Sequence, residues 1–199
     1  LIGTKTLTAS TDAGGVTSSN ATLTVITPMT GTQLPGNGAT NIAPDQQLRI
    51  VFPGPVKLGS NGVIRVRDAA NDSVVATIDC AQFLSYTPGN TSIQEIPNAS
   101  IRSVQGASYY YMPIAIYGNE ACLTFSNRFA YNKTYYVNMD AGVLLGTNNA
   151  STVSITGTNT WRFSTKNSGP ATPTTSTGPT NITIGQDGLG DFATFQGAF

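Results

Sequence analysis

The residue types that usually carry enzyme chemistry are scarce in this chain. It contains no histidine, so a Ser–His or Cys–His nucleophilic pair cannot be assembled from its residues. Its two cysteines, Cys80 and Cys122, are too few for a tetrahedral metal site without histidine. Two alternatives stay open for them, namely a disulfide in an extracellular protein or two separate buried thiols. The sequence predicts no catalytic residue, no cofactor site and no metal ligand within the chain.

Four aspartates stand in pairs that could in principle hold a cation. Asp187 and Asp191 flank the tripeptide GLG, and Asp68 and Asp72 flank AAN. A structural turn is the favoured interpretation of the first pair, because Asp and Gly both stabilise tight turns. The second pair is expected to be solvated.

Aromatic residues offer one further kind of chemistry, which is stacking on sugar rings. A cluster of tyrosines is formed by Tyr109, Tyr110, Tyr111 and Tyr117. Alternation along a strand would instead bury about half of such side chains, and burial is the favoured interpretation. Trp161 is expected in a core.

Asparagine supplies candidate modification sites. Seven Asn-X-Ser/Thr sequons occur, at Asn20, Asn71, Asn90, Asn98, Asn132, Asn149 and Asn181. In a eukaryotic secreted protein these could carry N-linked glycans.

The elements that must position these residues follow from the composition. Charged residues are 10% of the chain, against about 25% in ordinary soluble domains. Thr, Ser, Asn and Gly replace them, which favours strands and turns over helices. Ten basic and ten acidic residues balance, so no positive field favours nucleic acid. No apolar stretch is long enough for a membrane helix. The composition predicts an extracellular all-β protein.

The first element is a hairpin within residues 4–26. Leu7 alternates with threonine in one strand, Leu23 and Val25 alternate with threonine in the other, and a Gly-rich turn lies between them. This hairpin resembles the closing hairpin of a bacterial Ig-like module whose earlier strands would precede Leu1. The alternative is a first hairpin of the unit that follows. Because the chain begins with Leu1 rather than Met, its N-terminus is expected to be cut or processed.

A longer unit covers residues 28–167. In LRIVF, Leu48, Ile50 and Phe52 share one face, and two prolines end that strand. In VIRVRD, Ile64 and Val66 face away from the arginines. Further strands are predicted in SVVATID, YYYMPIAIYG, ACLTF, KTYYVNM and WRFST, whereas residues 81–106 are predicted to be a long irregular loop. Short strands separated by turns predict an antiparallel β-sandwich.

Three separated motifs carry a resemblance. GATNIAPDQQLRIVFPGPV, YNKTYYVNMDAGVL and WRFST occur in this order, and the unit is similar to the SbsA-type bacterial Ig-like domain. The resemblance covers residues 28–167, with an unmatched insertion in its middle. It implies a β-sandwich that serves as a spacer or docking module and has no catalytic residues.

A linker and a short tail follow. Residues 168–180, SGPATPTTSTGPT, contain no apolar side chain larger than alanine, so an extended linker is expected. The tail comprises residues 181–199. It predicts a short strand with Ile182 and Ile184, then a turn in which glycines permit positive φ. The recurrence of Phe192, Phe195 and Phe199 predicts a helix, with Thr194 as its N-cap.

The tail resembles the opening of a pectinesterase domain, which begins with a strand and then the pattern AQDGSGDFxTIQxA. Residues at matching places are Gln186, Asp187, Gly188, Gly190, Asp191, Phe192, Thr194, Gln196 and Ala198. Leu189, Phe195 and Gly197 depart from the pattern. The resemblance implies the N-terminal cap of a right-handed parallel β-helix. The family's catalytic aspartates, arginine and glutamines would all lie beyond Phe199, so the chain is expected to be a fragment.

These observations favour a secreted carbohydrate-active enzyme. The resemblance implies a monomeric pectinesterase that removes methyl esters from pectin or a related plant cell-wall polysaccharide, with this segment serving as a non-catalytic spacer. The four predicted parts are residues 1–27, 28–167, 168–180 and 181–199. The alternative is a non-catalytic surface or adhesive protein of Ig-like modules, in which a module could bind carbohydrate.

Overall fold

The structure is a computed structural model that describes eleven segments of the chain. These segments are residues 3–7, 21–25, 28–81, 83–86, 94–97, 100–104, 107–125, 128–147, 149–169, 183–186 and 189–194. Side chains are described within those ranges from residue 28 to 81 and from residue 112 onward. Most of the predicted linker, 170–180, lies outside the described residues. So do residues 195–199, on which the predicted tail helix depends.

Strands make up the described regular structure. They are β1 (Gly3–Leu7), β2 (Ala21–Val25), β3 (Thr32–Leu34), β4 (Ala39–Ile42), β5 (Leu48–Val51), β6 (Val56–Leu58), β7 (Val63–Asp68), β8 (Val74–Asp79), β9 (Phe83–Tyr86), β10 (Gln94–Pro97), β11 (Ser100–Val104), β12 (Ala107–Tyr111), β13 (Ile114–Tyr117), β14 (Glu120–Leu123), β15 (Thr134–Met139), β16 (Leu144–Gly146) and β17 (Arg162–Thr165). Among the described residues, no helix is long and apolar enough to cross a membrane.

The predicted N-terminal hairpin is present. Strands β1 and β2 pair in antiparallel register, with Gly3 opposite Val25 and Leu7 opposite Ala21. They form a two-stranded sheet of their own.

Two larger sheets form a β-sandwich, which confirms the predicted all-β fold. One sheet has the order β4-β17-β15-β7-β8 and the other has the order β13-β14-β5-β3, with the pair β16-β6 beside them. The described sheet pairings are antiparallel except at one edge, where β4 and β17 run parallel. Parallel pairing is open to these strands because they are far apart in sequence and need no tight hairpin.

Alternation along the strands builds the core as predicted. Leu48, Ile50 and Phe52 are buried, and so are Ile64 and Val66 from the facing sheet. Trp161 is fully buried among them. Its indole Nε1–H donates to the Pro35 carbonyl at 2.9 Å, which satisfies the single polar group of this side chain.

The prediction of an irregular loop over residues 81–106 is wrong. Strands β9 and β10 form one antiparallel hairpin, and β11 pairs with β12 in a second hairpin that extends past this range. The segment lacks the short Asn-Gly or Asp-Gly turns that mark tight hairpins in a sequence. The strands of this segment are therefore not marked by a clear hairpin signal in the sequence.

Candidate functional site

The described part of the tail forms a closed turn. Residues Ile184 and Phe192 make a parallel bridge, with the Gly185 N–H donating to the Phe192 carbonyl at 3.0 Å. A Cβ atom on Gly190 would lie 2.5 Å from the Gly185 nitrogen. Glycine is therefore needed at position 190 for the close approach of two backbone segments, rather than for the positive φ that the sequence suggested.

The Asp191 carboxylate stabilises this turn. Its Oδ2 accepts hydrogen bonds from the Thr183 N–H at 2.9 Å and from the Thr183 hydroxyl at 2.8 Å. These two bonds, the backbone one above all, hold the pKa of the Asp191 carboxyl below its usual value. Asp191 therefore has the structural role that was favoured for it. Its predicted companion Asp187 lies outside the described residues.

The turn docks on the sandwich through Asp45, which belongs to the turn before β5. The Asp45 carboxylate accepts from the Ala193 N–H with Oδ1 and from the Thr194 N–H with Oδ2, each at 2.8 Å. The Thr194 hydroxyl also donates to Oδ2, at 2.9 Å. Two successive N–H groups thus share one carboxylate, as at a capped helix start. Thr194, predicted as an N-cap, has its hydroxyl and its own N–H bonded to a side chain that is 149 residues away in sequence.

Two further side chains of the sandwich hold the tail. Gln46 Nε2 donates to the carbonyls of Gln47, at 2.9 Å, and of Gln186, at 3.2 Å. Lys166, which follows β17, donates from Nζ to the Leu189 carbonyl at 3.2 Å. We call this set of contacts made by Asp45, Gln46 and Lys166 the junction. It is the place where the 28–167 unit and the tail meet.

A cleft of about 450 Å³ opens beside the junction. It is lined by Gln46, Gln47, Arg49, Ile184, Gln186, Ala193 and Thr194. Gln46 itself is only 7% exposed, and its carboxamide oxygen Oε1 is closed off from solvent without a hydrogen-bond partner among the described residues. An unsatisfied buried oxygen costs free energy unless a donor reaches it.

Two other polar side chains of the cleft have partners on the sandwich. Gln47 Nε2 donates to the Thr124 hydroxyl at 3.0 Å. The Arg49 guanidinium forms an ion pair with Glu120, with Nη1 and Oε1 3.1 Å apart. The positive charge at this wall is therefore balanced locally.

Of the two alternatives for the cysteines, the structure has the second, since Cys80 and Cys122 are both free and buried. Cys80 belongs to the core, whereas Cys122 lies opposite Arg49 in the other sheet. Alternation sends Cys122 to the face away from the core, because its neighbours Ala121 and Leu123 point inward. Burial raises the pKa of the Cys80 thiol to about 11 and also raises the pKa of the Cys122 thiol.

The expectation that Asp68 and Asp72 are solvated is wrong for Asp68. Asp68 is 6% exposed, pairs with Lys133 Nζ at 2.9 Å and accepts from the Ala70 N–H. The hydrogen bond from Lys133, followed by that from Ala70, lowers the pKa of the Asp68 carboxyl. Asp72 is exposed, and it bonds Arg67 and the hydroxyl of Tyr136.

Of the remaining predicted residues, those that the structure describes do not contribute to the junction. Tyr117 is 68% exposed, so it is not in the half of the tyrosine cluster that alternation was expected to bury, while the side chains of Tyr109, Tyr110 and Tyr111 lie outside the description. The sequon residues Asn71, Asn132 and Asn149 are exposed. Those at Asn20, Asn90, Asn98 and Asn181 lie outside the described residues. Within the described segments, no three His, Cys, Asp or Glu side chains converge as a metal site would require.

The comparisons with known proteins are sparse. No protein-family model matches the chain, and no curated protein matches its sequence. One solved structure that matches is the crystal structure of CopC from Methylosinus trichosporium OB3b, at 12% sequence identity and a TM-score of 0.35. The match covers 68% of this chain and 93% of that chain. A likeness of this size carries no conclusion about fold or function.

Proposed function

We propose that the chain is part of a secreted pectinesterase, in which an SbsA-type Ig-like sandwich holds the first segment of the esterase domain. The pectinesterase part of the proposal rests on the tail motif, whose residues Gln186, Gly190, Asp191, Phe192 and Thr194 match the family's opening pattern. The sandwich is the non-catalytic part. Its role is to set the position and orientation of what it carries.

The observation that supports this positioning role is the set of hydrogen bonds between Asp45 and the tail. A flexible spacer would need no contacts across residues 170–180, yet Asp45 accepts from Ala193 and Thr194 and Lys166 donates to Leu189. Hydrogen bonds to charged groups are directional and stronger than neutral ones. They therefore fix the direction in which the chain leaves the sandwich.

The chemistry would lie in the esterase domain. By the resemblance, one aspartate attacks the methyl ester carbonyl, a second acts as acid and base, and glutamines stabilise the oxyanion. Methanol leaves, and water then releases the free carboxylate on the polysaccharide. All these residues would follow Phe199, so the 199-residue chain is expected to be inactive by itself.

The test compares two proteins. One is the 199-residue chain, and the other is the product of the uninterrupted reading frame that contains it. Methanol release from methyl-esterified pectin is measured for both, and only the longer protein is expected to release it. Methanol release by the short chain would contradict the assignment of the sandwich as non-catalytic. A reading frame that ends within a few codons of Phe199 would favour the surface or adhesive protein instead.

A further inference from the structure

The sequence contains two Asn-Gly pairs, Asn37-Gly38 and Asn61-Gly62. In such a pair the glycine nitrogen can attack the carboxamide carbon of the asparagine, because glycine has no side chain that hinders the approach. A five-membered succinimide ring forms, and water then opens it to leave aspartate or isoaspartate. In a folded protein, the reaction requires that the attacking nitrogen and the carboxamide are both free to move.

Both reacting groups are held in the first pair. The Gly38 N–H, whose nitrogen would attack, donates to the Arg162 carbonyl at 2.7 Å. The Asn37 carboxamide oxygen accepts from the Arg162 N–H at 2.9 Å. Arg162 belongs to β17, which lies between two other strands of the five-stranded sheet. Although Asn37 and Gly38 are exposed, they are therefore released only when this part of the sheet opens.

Neither reacting group is held in the second pair. It lies in the turn that joins β6 to β7, and Asn61 is exposed. Among the described residues, the Gly62 N–H and the Asn61 carboxamide have no hydrogen-bond partner. The Gly62 carbonyl accepts from the Cys80 N–H at 3.0 Å, but this carbonyl takes no part in the reaction.

The fold itself requires the glycine that makes the second pair reactive. Gly62 has a φ of 91°, in the left-handed region that favours glycine. A Cβ atom at this position would also lie 2.9 Å from a methyl carbon of Val143. A larger residue that would slow the attack on Asn61 therefore does not fit this turn.

From this contrast we propose that Asn61 is a site of spontaneous deamidation in the folded chain, whereas Asn37 is protected. The Gly62 nitrogen gives its proton to solvent hydroxide and bonds to Asn61 Cγ, while the carboxamide nitrogen takes a proton from water and leaves as ammonia. Water then adds to one ring carbonyl, breaks its C–N bond and yields a carboxylate. Solvent supplies every co-reactant. The inference goes beyond the proposed function and does not depend on esterase activity.

Deamidation changes both the charge and the backbone of this turn. The chain has ten basic and ten acidic residues, so one event leaves it with one net negative charge. The isoaspartate product also lengthens the main chain at residue 61. The same turn packs on the loop after β15 through the Gly59 N–H, which donates to the Val143 carbonyl at 2.8 Å. This contact is the one that the modification is expected to weaken.

The experiment follows the folded 199-residue chain during incubation in a warm, mildly alkaline buffer. Peptide mapping by mass spectrometry measures the mass gain at residues 37 and 61 separately, and labelling with an isoaspartyl methyltransferase identifies isoaspartate. Asn61 is expected to convert at least about tenfold faster than Asn37, because two hydrogen bonds must break before Asn37 can react. In urea, which unfolds the chain, the two asparagines should convert at similar rates.

Two variants check the assignment. Asn61→Gln should lose the mass gain at residue 61, because ring closure through the longer side chain is much slower. It should keep the melting temperature of the unchanged chain, since residue 61 is exposed. Asn37→Gln is the matched control, because it makes the same change at the other Asn-Gly pair, and it should leave the rate at Asn61 unchanged.

Two results would overturn the inference. One is that Asn61 of the folded chain stays intact over a period in which Asn61 in urea is fully converted. The other is that Asn37 and Asn61 convert at equal rates in the folded sample, which would mean that the reaction proceeds through unfolded chains. Neither result bears on methanol release, so failure of this inference and failure of the esterase proposal can be told apart.

Discussion

The sandwich core and the junction are held together by different forces. In the core, Leu48, Ile64 and Trp161 are fully buried apolar side chains, and their burial provides a large, non-directional stabilisation. In the junction, Asp45, Gln46 and Lys166 bond backbone groups of the tail. The described tail adds little burial, with Ala193 as its only buried residue. The core therefore sets whether the protein folds, and the junction sets where the tail points.

The largest expected effect concerns the core. Trp161→Ala removes a fully buried indole and should lower the free energy of unfolding by about 3–5 kcal/mol. Urea denaturation followed by circular dichroism measures this loss. Trp161→Phe should cost less, because the phenyl ring still fills much of the indole's place, although the Pro35 carbonyl loses its donor. A loss below about 1 kcal/mol for the alanine variant would contradict the assigned core.

The next effect isolates the junction. Asp45→Ala removes the acceptor of two backbone N–H groups, so the amides of Ala193 and Thr194 should exchange with solvent about 30-fold faster. Global stability should change by less than about 0.5 kcal/mol. Asp79→Ala is the matched control, because Asp79 also caps one backbone N–H, that of Ala81. Equal exchange in both variants would mean that the tail is not held by Asp45.

A smaller effect is the pH dependence of the tail turn, which contains the carboxyl group of Asp191 and which the apolar core does not share. Hydrogen bonds from Thr183 lower the pKa of Asp191 in the folded chain below its ordinary 3.8. The carboxylate therefore stabilises the turn above pH 3.8, and this contribution is lost as the pH falls through the lower folded value. The Thr183 amide shift, followed by NMR, should titrate with a midpoint below 3.8. Asp191→Asn should abolish that titration, whereas a midpoint at or above 3.8 would refute the lowered pKa.

The smallest effect is the absence of a change on reduction. Because Cys80 and Cys122 are free, a reducing agent should leave the melting temperature where it was. The Cys80 thiol, with a pKa of about 11 when folded and 9.0 when exposed, stays neutral in the native chain at pH 8. A thiol reagent at that pH should react slowly with the folded chain. Once urea has unfolded the chain, the reagent should react readily with both cysteines. A melting temperature that falls on reduction would indicate a disulfide.

Local patterns in the sequence predict the core strands well. Alternation in LRIVF and VIRVRD correctly assigns Leu48, Ile50, Ile64 and Val66 to the interior, because side chains of a strand point to opposite faces by geometry alone. The same alternation places Asp68 on the inner face with Ile64 and Val66. The sequence therefore contained a signal for its burial, and the expectation of a solvated carboxylate overlooked it.

The junction could not be predicted in this way. Asp45 and Ala193 are 148 residues apart, and neither shows a local pattern that specifies the other. Lys166 and Gln46 bond to tail carbonyls, whose positions depend on the backbone path rather than on residue type. Cys122 shows the same limit, since the spacing of the two cysteines does not reveal that Cys80 joins the core while Cys122 faces away from it.

The side chains of the junction bind mainly the backbone of the tail. Among the described residues, its partners are the carbonyls of Gln186 and Leu189, the N–H groups of Ala193 and Thr194, and the Thr194 hydroxyl. A socket of this kind tolerates sequence drift in the segment that it holds, as long as the course of the backbone is kept. Different segments that take up this turn could therefore be held by the same sandwich. Protein engineers could use the same socket as a rigid coupling for unrelated cargo.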